Sequence, residues 1–343
     1  MRNFTRATSP LRDGGAEETK PSRRGVLKSV VAGGAVVAMG VLFPGLAAAN
    51  AGRFPTGQTS SPDVSHASPA VAALVIATFR DKSNHDVDRM MSHYSQQQLT
   101  YTDGTLGLQF QAWPQLKALF DQLMPNWPPA ARSYPTRIIG DSTSAMVLFT
   151  DTPELFGSEI RAISAIDLDD GQIIRQVDYW DARHFGTAAA AGLRVPAGQF
   201  PSAFGETKIG ERAHPTIRRA SDTLATAFAT SNADTVTALF TEDAVFEDLT
   251  LHTQLIGHKA IAAHLRRALP ILPYGQSTTV RHVVGSAQGG GYEWISGNSP
   301  VARGVIALEL DQQARISRLT ATWDGTSLDS AALNSLLATT IED

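Results

Sequence analysis

Two stretches of this chain carry nearly the same pattern about 145 residues apart, and that repetition limits what the chain can become. The later one, residues 239–265, reads LFTEDAVFEDLTLHTQLIGHKAIAAHL, and the earlier, residues 92–125, reads SHYSQQQLTYTDGTLGLQFQAWPQLKALFDQLMP. An offset of 145 places Tyr101 on Phe246, Asp103 on Asp248, Leu116 on Ile261 and Pro125 on Pro270. A further pair, Trp180-Asp181 and Trp323-Asp324, repeats at an offset of 143. Spacing of this length describes a duplicated domain rather than a solenoid unit, which recurs about every 20–50 residues. The later stretch predicts a helix end at Leu239-Phe240, a strand over 244–249 and a helix opening at Gly257-His258-Lys259. Strand alternation puts Val245 on one face, and Phe246 and Asp248 on the other. An apolar wall with a carboxylate beside it is how a buried acid or base is usually presented.

The length of 343 residues fits about two domains, and 43% apolar residues supply mass for two cores. There is no cysteine, which excludes disulfides, thiolate metal sites and a Cys nucleophile. Residues 1–51 carry a net +4 and the remainder −8, an acidic balance that argues against a nucleic-acid or anionic-membrane surface.

Ser22-Arg23-Arg24-Gly25-Val26-Leu27-Lys28 resembles a twin-arginine export motif. A glycine-diluted apolar run follows over 30–46, and Ala49-Asn50-Ala51 offers small residues for cleavage. The expectation is a signal peptide over 1–51, export by the twin-arginine translocase, and a secreted or cell-envelope location, periplasmic where there is an outer membrane. The other reading is an uncleaved anchor, for which a run broken by Pro44 is short against about 30 Å of hydrocarbon. Residues 52–67 read as a flexible spacer.

Residues 68–185 predict a first domain. Ser68-Pro69 is an N-cap and N1 pair for a helix to about Arg80. Further helices fall over 86–93 and 112–123, a strand over 99–103, and four alternating strands over 136–140, 145–150, 160–168 and 173–179. Residues 186–212 read as a linker, whose alanine run could form a short helix. Residues 213–328 predict a second domain: helices over 215–230 and 233–240, the stretch above, then strands over 277–286, 291–296, 301–311 and 315–323. Gly289-Gly290-Gly291 is read as a turn. A C-terminal helix is expected within 329–343.

The order helix, LF-x-x-DA-x-F-x-D, G-x-x-AI, then strands ending in L-x-x-x-WD resembles the SnoaL-like branch of the NTF2-like superfamily. Relatives there include ketosteroid isomerase, limonene epoxide hydrolase, scytalone dehydratase and polyketide cyclases. The resemblance implies an α+β fold of two cones, each a curved, mostly antiparallel sheet packed on three helices around a pocket. One such cone hosts many chemistries. The run 241–248 is similar to the ketosteroid isomerase segment whose aspartate is the general base, which falls on Asp248. The positions matching that enzyme's oxyanion hole are Leu224 and Ile306, both apolar, so other donors (Tyr292, Arg303, His282 or Trp294) would have to substitute. The run 177–185 resembles the last strand of limonene epoxide hydrolases, whose catalytic acid falls on Asp178. Their R-x-D pair falls on Ala145 and Val147, so it is missing here.

The candidate acid–base residues are therefore Asp103, Asp178 and Asp248, and the candidate substrate-contacting residues are Tyr101, Trp180, Phe246, Trp294 and Trp323. His93, Tyr94, Arg161 and Asp181 are chemistry-capable neighbours, with His93 read as a helix-surface residue. Each aspartate has a second reading: Asp178 and Asp181 as strand-end carboxylates at the rim, Asp248 as an organiser of its loop. His252, His258 and His264 recur every six residues, which is not a same-face helical spacing, and no metal is expected. His258 is expected to face solvent. No cofactor is expected either, since G-x-G-x-x-G, G-K-[ST] and G-x-S-x-G are absent in the required contexts. Two functional readings remain: a cofactor-independent isomerase, cyclase, dehydratase or hydrolase acting on a small apolar molecule, or a non-catalytic binding or association module. Sheet-to-sheet pairing of the two domains, as an intramolecular pseudo-dimer, or of two chains, as a homodimer, is compatible with either.

Overall fold

A computed structural model describes residues 61–341. The twin-arginine motif, the apolar run after it and the first part of the expected spacer lie outside the described residues. The chain is α+β. It opens with β1 (Asp63–Ala67), α1 (Pro69–Ser83), α2 (Val87–Ser92), β2 (Thr100–Asp103), β3 (Gln109–Phe110) and α3 (Trp113–Leu123). Then come β4 (Ser133–Gly140), β5 (Ser144–Asp151), the short α4 (Pro153–Phe156), β6 (Ile160–Asp169) and β7 (Gln172–Trp180). The connection holds α5 (Thr187–Leu193) and α6 (Glu206–Ile209). The second half runs α7 (Pro215–Ala229), α8 (Ala233–Thr237), β8 (Phe240–Asp248), β9 (Thr253–Ile256), α9 (His258–Ala268), β10 (Thr278–Ser286), β11 (Gly289–Ser296), β12 (Arg303–Leu310), β13 (Ile316–Trp323) and α10 (Ser330–Ala338).

The first sheet has the order β1-β4-β5-β6-β7-β2-β3 and the second β10-β11-β12-β13-β8-β9. Apart from the added edge strand β1, the two orders coincide strand for strand. In both, a parallel pair (β2 with β7, β8 with β13) joins antiparallel neighbours, and the added β1 runs parallel to β4. Local chemistry sets the helix starts. Ser68 accepts from the Val71 amide ahead of Pro69, and the Asn232 side chain accepts from the Asp234 and Thr235 amides. Each sheet lays one face on three helices. Val71, Val75 and Phe79 of α1, Met90 and Met91 of α2, and Leu116 and Leu119 of α3 bury against Val147, Ala162 and Ile166. In the second half Ile217, Leu224 and Phe228 of α7, Val236 of α8, and Ile261 and Leu265 of α9 bury against Phe246, Ile306 and Leu319.

Three local expectations are corrected. Residues 63–67 of the spacer form an ordered strand, because the free edge of β4 offers backbone partners and Arg137 lies 3.5 Å from Asp63. The 289–291 glycines form a strand rather than a turn. A Cβ on Gly290 would lie 2.0 Å from the Val284 carbonyl, and one on Gly291 2.0 Å from that of Ile306, so only glycine permits so close an approach. His258 is half-buried, with Nε2 2.9 Å from the Thr237 carbonyl.

The outer faces of the two sheets pack on each other. β5 is buried along its whole length, with Ala145, Val147 and Phe149 facing the helices and Met146 and Leu148 facing the other half. Ile139, Ile163, Ala165 and Val177 meet Val284, Val305 and Ala307, and Phe204 of the connection closes the edge. Charges are buried among these side chains. Arg175, fully buried, donates from Nη2 to Glu293 at 2.5 Å, lies 3.4 Å from Asp167 through Nη1, and donates from Nε to the Phe204 carbonyl at 3.0 Å. Tyr179 donates to the other Glu293 oxygen at 2.8 Å, and His282 Nε2 lies 2.8 Å from Asp167. Truncating one partner of such a cluster leaves carboxylates in a medium that cannot solvate them, at a cost of about 3–5 kcal/mol. Arg175→Ala should lower the unfolding free energy by about that much in urea denaturation, far more than Arg161→Ala, whose partner Glu159 is exposed.

Candidate active site

Strands β2 and β7 lie side by side with Tyr101 opposite Gln176 and Asp103 opposite Asp178. The period of two then turns Tyr101, Asp103, Gln176, Asp178 and Trp180 toward the helices. Ser164 of β6 stands opposite Asp178 on the other side. Three donors converge on the Asp178 carboxylate: the Tyr101 hydroxyl on Oδ2 at 2.6 Å, Gln176 Nε2 on Oδ1 at 2.9 Å, and the Ser164 hydroxyl, also on Oδ1. Tyr94 extends the network by donating to Gln176 Oε1 at 2.8 Å.

The network borders a cavity of about 250 Å³ between sheet and helices. Asp103, Asp178, Tyr101 and Lys82 line its polar side, and Phe110, Phe120, Phe149, Phe156 and Trp180 are among its apolar walls. A recess of about 30 Å³ continues past Asp178 to Tyr94, Ser164 and Gln176, room for one water. The Lys82 ammonium is 3.3 Å from Asp151 and lies over the Phe149 ring at 5.3 Å. Burial pushes the Asp178 carboxyl up from its usual range, against the Ser164, Tyr101 and Gln176 donors and the Lys82 charge. Burial pushes Asp103 up to about 7, opposed by the Leu106 amide and Trp180 and reinforced by the charge of Asp178. The Tyr101 phenol is held well above its ordinary value, first by burial and then by the two carboxylates.

The second half repeats part of this arrangement and lacks the rest. Asp103 accepts from the Leu106 amide at 2.7 Å and from Trp180 Nε1 at 3.0 Å; Asp248 accepts from the Leu251 amide at 2.9 Å and from Trp323 Nε1 at 3.1 Å. Thr105 exchanges hydrogen bonds with the Trp180 backbone, and Thr250 does the same with Trp323. This clip of aspartate, threonine and tryptophan ties the loop after one strand to the end of its neighbour in both sheets. Strand pairing aligns the remaining positions. Tyr94, Tyr101, Ser164, Gln176 and Asp178 stand where the second half has Phe240, Phe246, Ile306, Leu319 and Ala321. Every polar group of the network is thus apolar in its counterpart.

The expected site residues accordingly separate. Asp103, Asp178, Tyr101 and Trp180 line one cavity. Asp248 is 1% exposed, is bound also by the Tyr274 hydroxyl at 3.0 Å, and lines neither the cavity nor its recess. Phe246, Trp294 and Trp323, expected to contact substrate, are 1%, 0% and 0% exposed within the second core: large rings fill the interior that a ligand would need. Of the neighbours, Tyr94 joins the network, whereas His93 pairs with Asp81 at 2.9 Å and Arg161 is exposed. Asp181 binds Arg183 and the Gly325 amide at the junction of the halves. His252 meets His184, His258 meets Thr237 and His264 meets Thr339, so the three histidines are dispersed. Sequence reading passed over Lys82, Ser164 and Gln176. Gln176 was within reach, since it precedes Asp178 by one strand period; Ser164 is named only by the pairing of β6 with β7.

Residues 222–318 match the family model described as a SnoaL-like domain. No curated protein matches the chain. Among solved structures, similarity extends to a steroid delta-isomerase from Pseudomonas aeruginosa at 13% identity, covering 38% of this chain and 93% of that one with a TM-score of 0.29. A SnoaL-like protein of unknown function from Burkholderia thailandensis is 11% identical over 33% of this chain and 99% of that one, with a TM-score of 0.29. An uncharacterized protein with a cystatin-like fold from Silicibacter pomeroyi is 19% identical over 37% of this chain and 83% of that one, with a TM-score of 0.28.

Asp248 offers a pH test of its structural role. Burial raises its carboxyl to about 6 from 3.8, so the folded state binds this proton more tightly than the unfolded chain does. Its contribution is therefore present below about pH 4 and lost as pH rises through about 6. In urea titrations, the difference in stability between the parent and Asp248→Asn should change between those limits and stay flat above them. A flat difference throughout would show that Asp248 does not titrate in this window.

Proposed function

We propose that the N-terminal half binds a small apolar molecule in the cavity beside β7 and transfers a proton on it without a cofactor, with Asp178 as the acid–base residue. The observation that carries this reading is the divergence of the two halves: tyrosines, serine, glutamine and aspartate converge at a hollow in one, and aromatic and aliphatic side chains fill the same positions in the other. A core needs no polar network, and a buried one is costly unless every member is satisfied. Its retention beside an open volume supports a chemical purpose. Asp178 is the residue of choice because Asp103 makes contacts that Asp248 makes equally well in a filled core. Asp103 then acts as the neighbouring carboxyl, its proton affinity near neutrality, able to hold the second charge or proton of the pair. Tyr101 and Lys82 are the groups available to an oxygen that gains negative charge during the transfer. The apolar walls suit a polyketide-, terpene- or steroid-like body with one oxygen function at the polar end, and the reaction class is isomerisation, cyclisation or dehydration.

The test is the small-molecule content of the purified full chain, extracted into organic solvent and read by mass spectrometry. Asp178→Asn should accumulate a molecule different from that held by the parent, related to it by isomerisation or loss of water, whereas Asp248→Asn should give the parent profile. An identical ligand in the parent and all folded variants would sink the catalytic reading and leave a binding module.

We also propose export by the twin-arginine route, a reading that rests on residues 22–28, the apolar run over 30–46 and the small residues 49–51. Cell fractionation should find the parent outside the cytoplasm and the double variant Arg23→Lys, Arg24→Lys inside. Equal export of both would overturn it.

A further inference from the structure

Where the connection crosses between the two sheets it leaves a cleft of about 230 Å³ that shares no lining residue with the cavity beside β7. Gly104, Thr105, Arg194 and Phe200 line it from the first half and the connection, and the 300–303 segment with Asp324 lines it from the second half. Arg303, the first residue of β12, lays its guanidinium on the Phe200 ring with 3.6 Å between them. Other arginines near the junction of the halves have a carboxylate: Arg175 has Glu293, Arg194 has Asp324 and Arg281 has Glu206. Arg303 has neither an ion pair nor a hydrogen bond among the described residues, and its one contact of note is the ring. Arg194 Nε is also buried without a hydrogen-bond partner. Burial pulls the Arg303 guanidinium down to about 10, opposed by Tyr179 and Asp324 and helped by the nearby Arg281 and Arg194 charges.

A half-buried guanidinium with no ion pair or hydrogen bond to the protein keeps its five donors for a ligand. Its planar fork matches a carboxylate, and stacking on Phe200 fixes the fork's plane in advance. Val195, Ala197, Val301 and Ala302 give the lining an apolar part beside Tyr179 and Ser327, which suits a short hydrocarbon tail. Asp324, paired with Arg194, also lines the cleft and repels a dianion more than a monoanion. We infer that the cleft is a binding site for a small monocarboxylate with a compact apolar tail, anchored by Arg303.

Isothermal titration of the full chain at fixed chloride concentration tests this with butyrate, inorganic phosphate and 1-butanol as probes. Butyrate should bind at one site per chain, with phosphate and 1-butanol at least tenfold weaker. Arg303→Ala should weaken butyrate at least tenfold with little change in the unfolding midpoint, since only the stacking on Phe200 is lost. Ala302→Trp, which fills the cleft and leaves the charge in place, should abolish binding. Asp178→Asn should bind butyrate as the parent does, which separates this site from the cavity. Butyrate binding that survives both Arg303→Ala and Ala302→Trp, or phosphate binding as tightly as butyrate, would overturn the inference, as would the absence of butyrate binding to the parent.

Discussion

A guanidinium with no exposed surface joins the two sheets, and much of the architecture follows from holding it there. Arg175 reaches Glu293 of the other half, Asp167 on its own sheet and a carbonyl of the connection. Such a cluster has to be kept dry and geometrically fixed to compensate the desolvation of its members. The outer faces of both sheets are therefore committed to each other, and the aliphatic residues around the cluster exclude water. The helices are left to cover the inner faces. Each half thus encloses an interior between sheet and helices, and the joint does not depend on what that interior contains.

That independence lets the halves differ. In the C-terminal half the interior is closed by Trp294, Trp323, Tyr274 and Tyr292, each at most 2% exposed. In the N-terminal half Phe149 and Val147 stand at the strand positions of Trp294 and Tyr292, Trp180 keeps the position of Trp323, and a cavity remains. The aspartate–threonine–tryptophan clip persists in both, which marks it as part of the scaffold. The polar network around Asp178 exists only in the hollow half. A fold that must bury about 25 cal/mol of stabilisation per Å² of apolar surface can keep one interior open more readily when a filled twin is fused to it through a dry interface.

The sequence could be read for the clip and less well for the network, and the reason is geometric. The clip's members recur at one offset, so Asp103 and Asp248 announce themselves as a pair. Recurrence marks what both halves need, however, and so it points to Asp248, Phe246 and Trp323 as readily as to Asp103, Tyr101 and Trp180. The distinguishing residues are those that fail to recur: Ser164 against Ile306, Gln176 against Leu319, Asp178 against Ala321. They come from two strands, and the alignment of Ser164 with the other two depends on a strand register that no linear spacing reveals. Lys82 reaches the cavity from the end of a helix, where a lysine usually meets solvent.

The sequence by itself determined the α+β class, most helix and strand positions, the pairing of the two halves in chain order and the aspartates that terminate β2 and β8. Those follow from local periodicity, capping and repetition, which act within a few turns or residues. Tertiary structure alone decided which interior is hollow, which carboxylates face it, which strand edge residues 63–67 cover, and which arginine is left without a carboxylate. Each of those is settled by side chains brought together across tens to more than a hundred residues, where packing volume and desolvation, rather than local preference, choose the outcome.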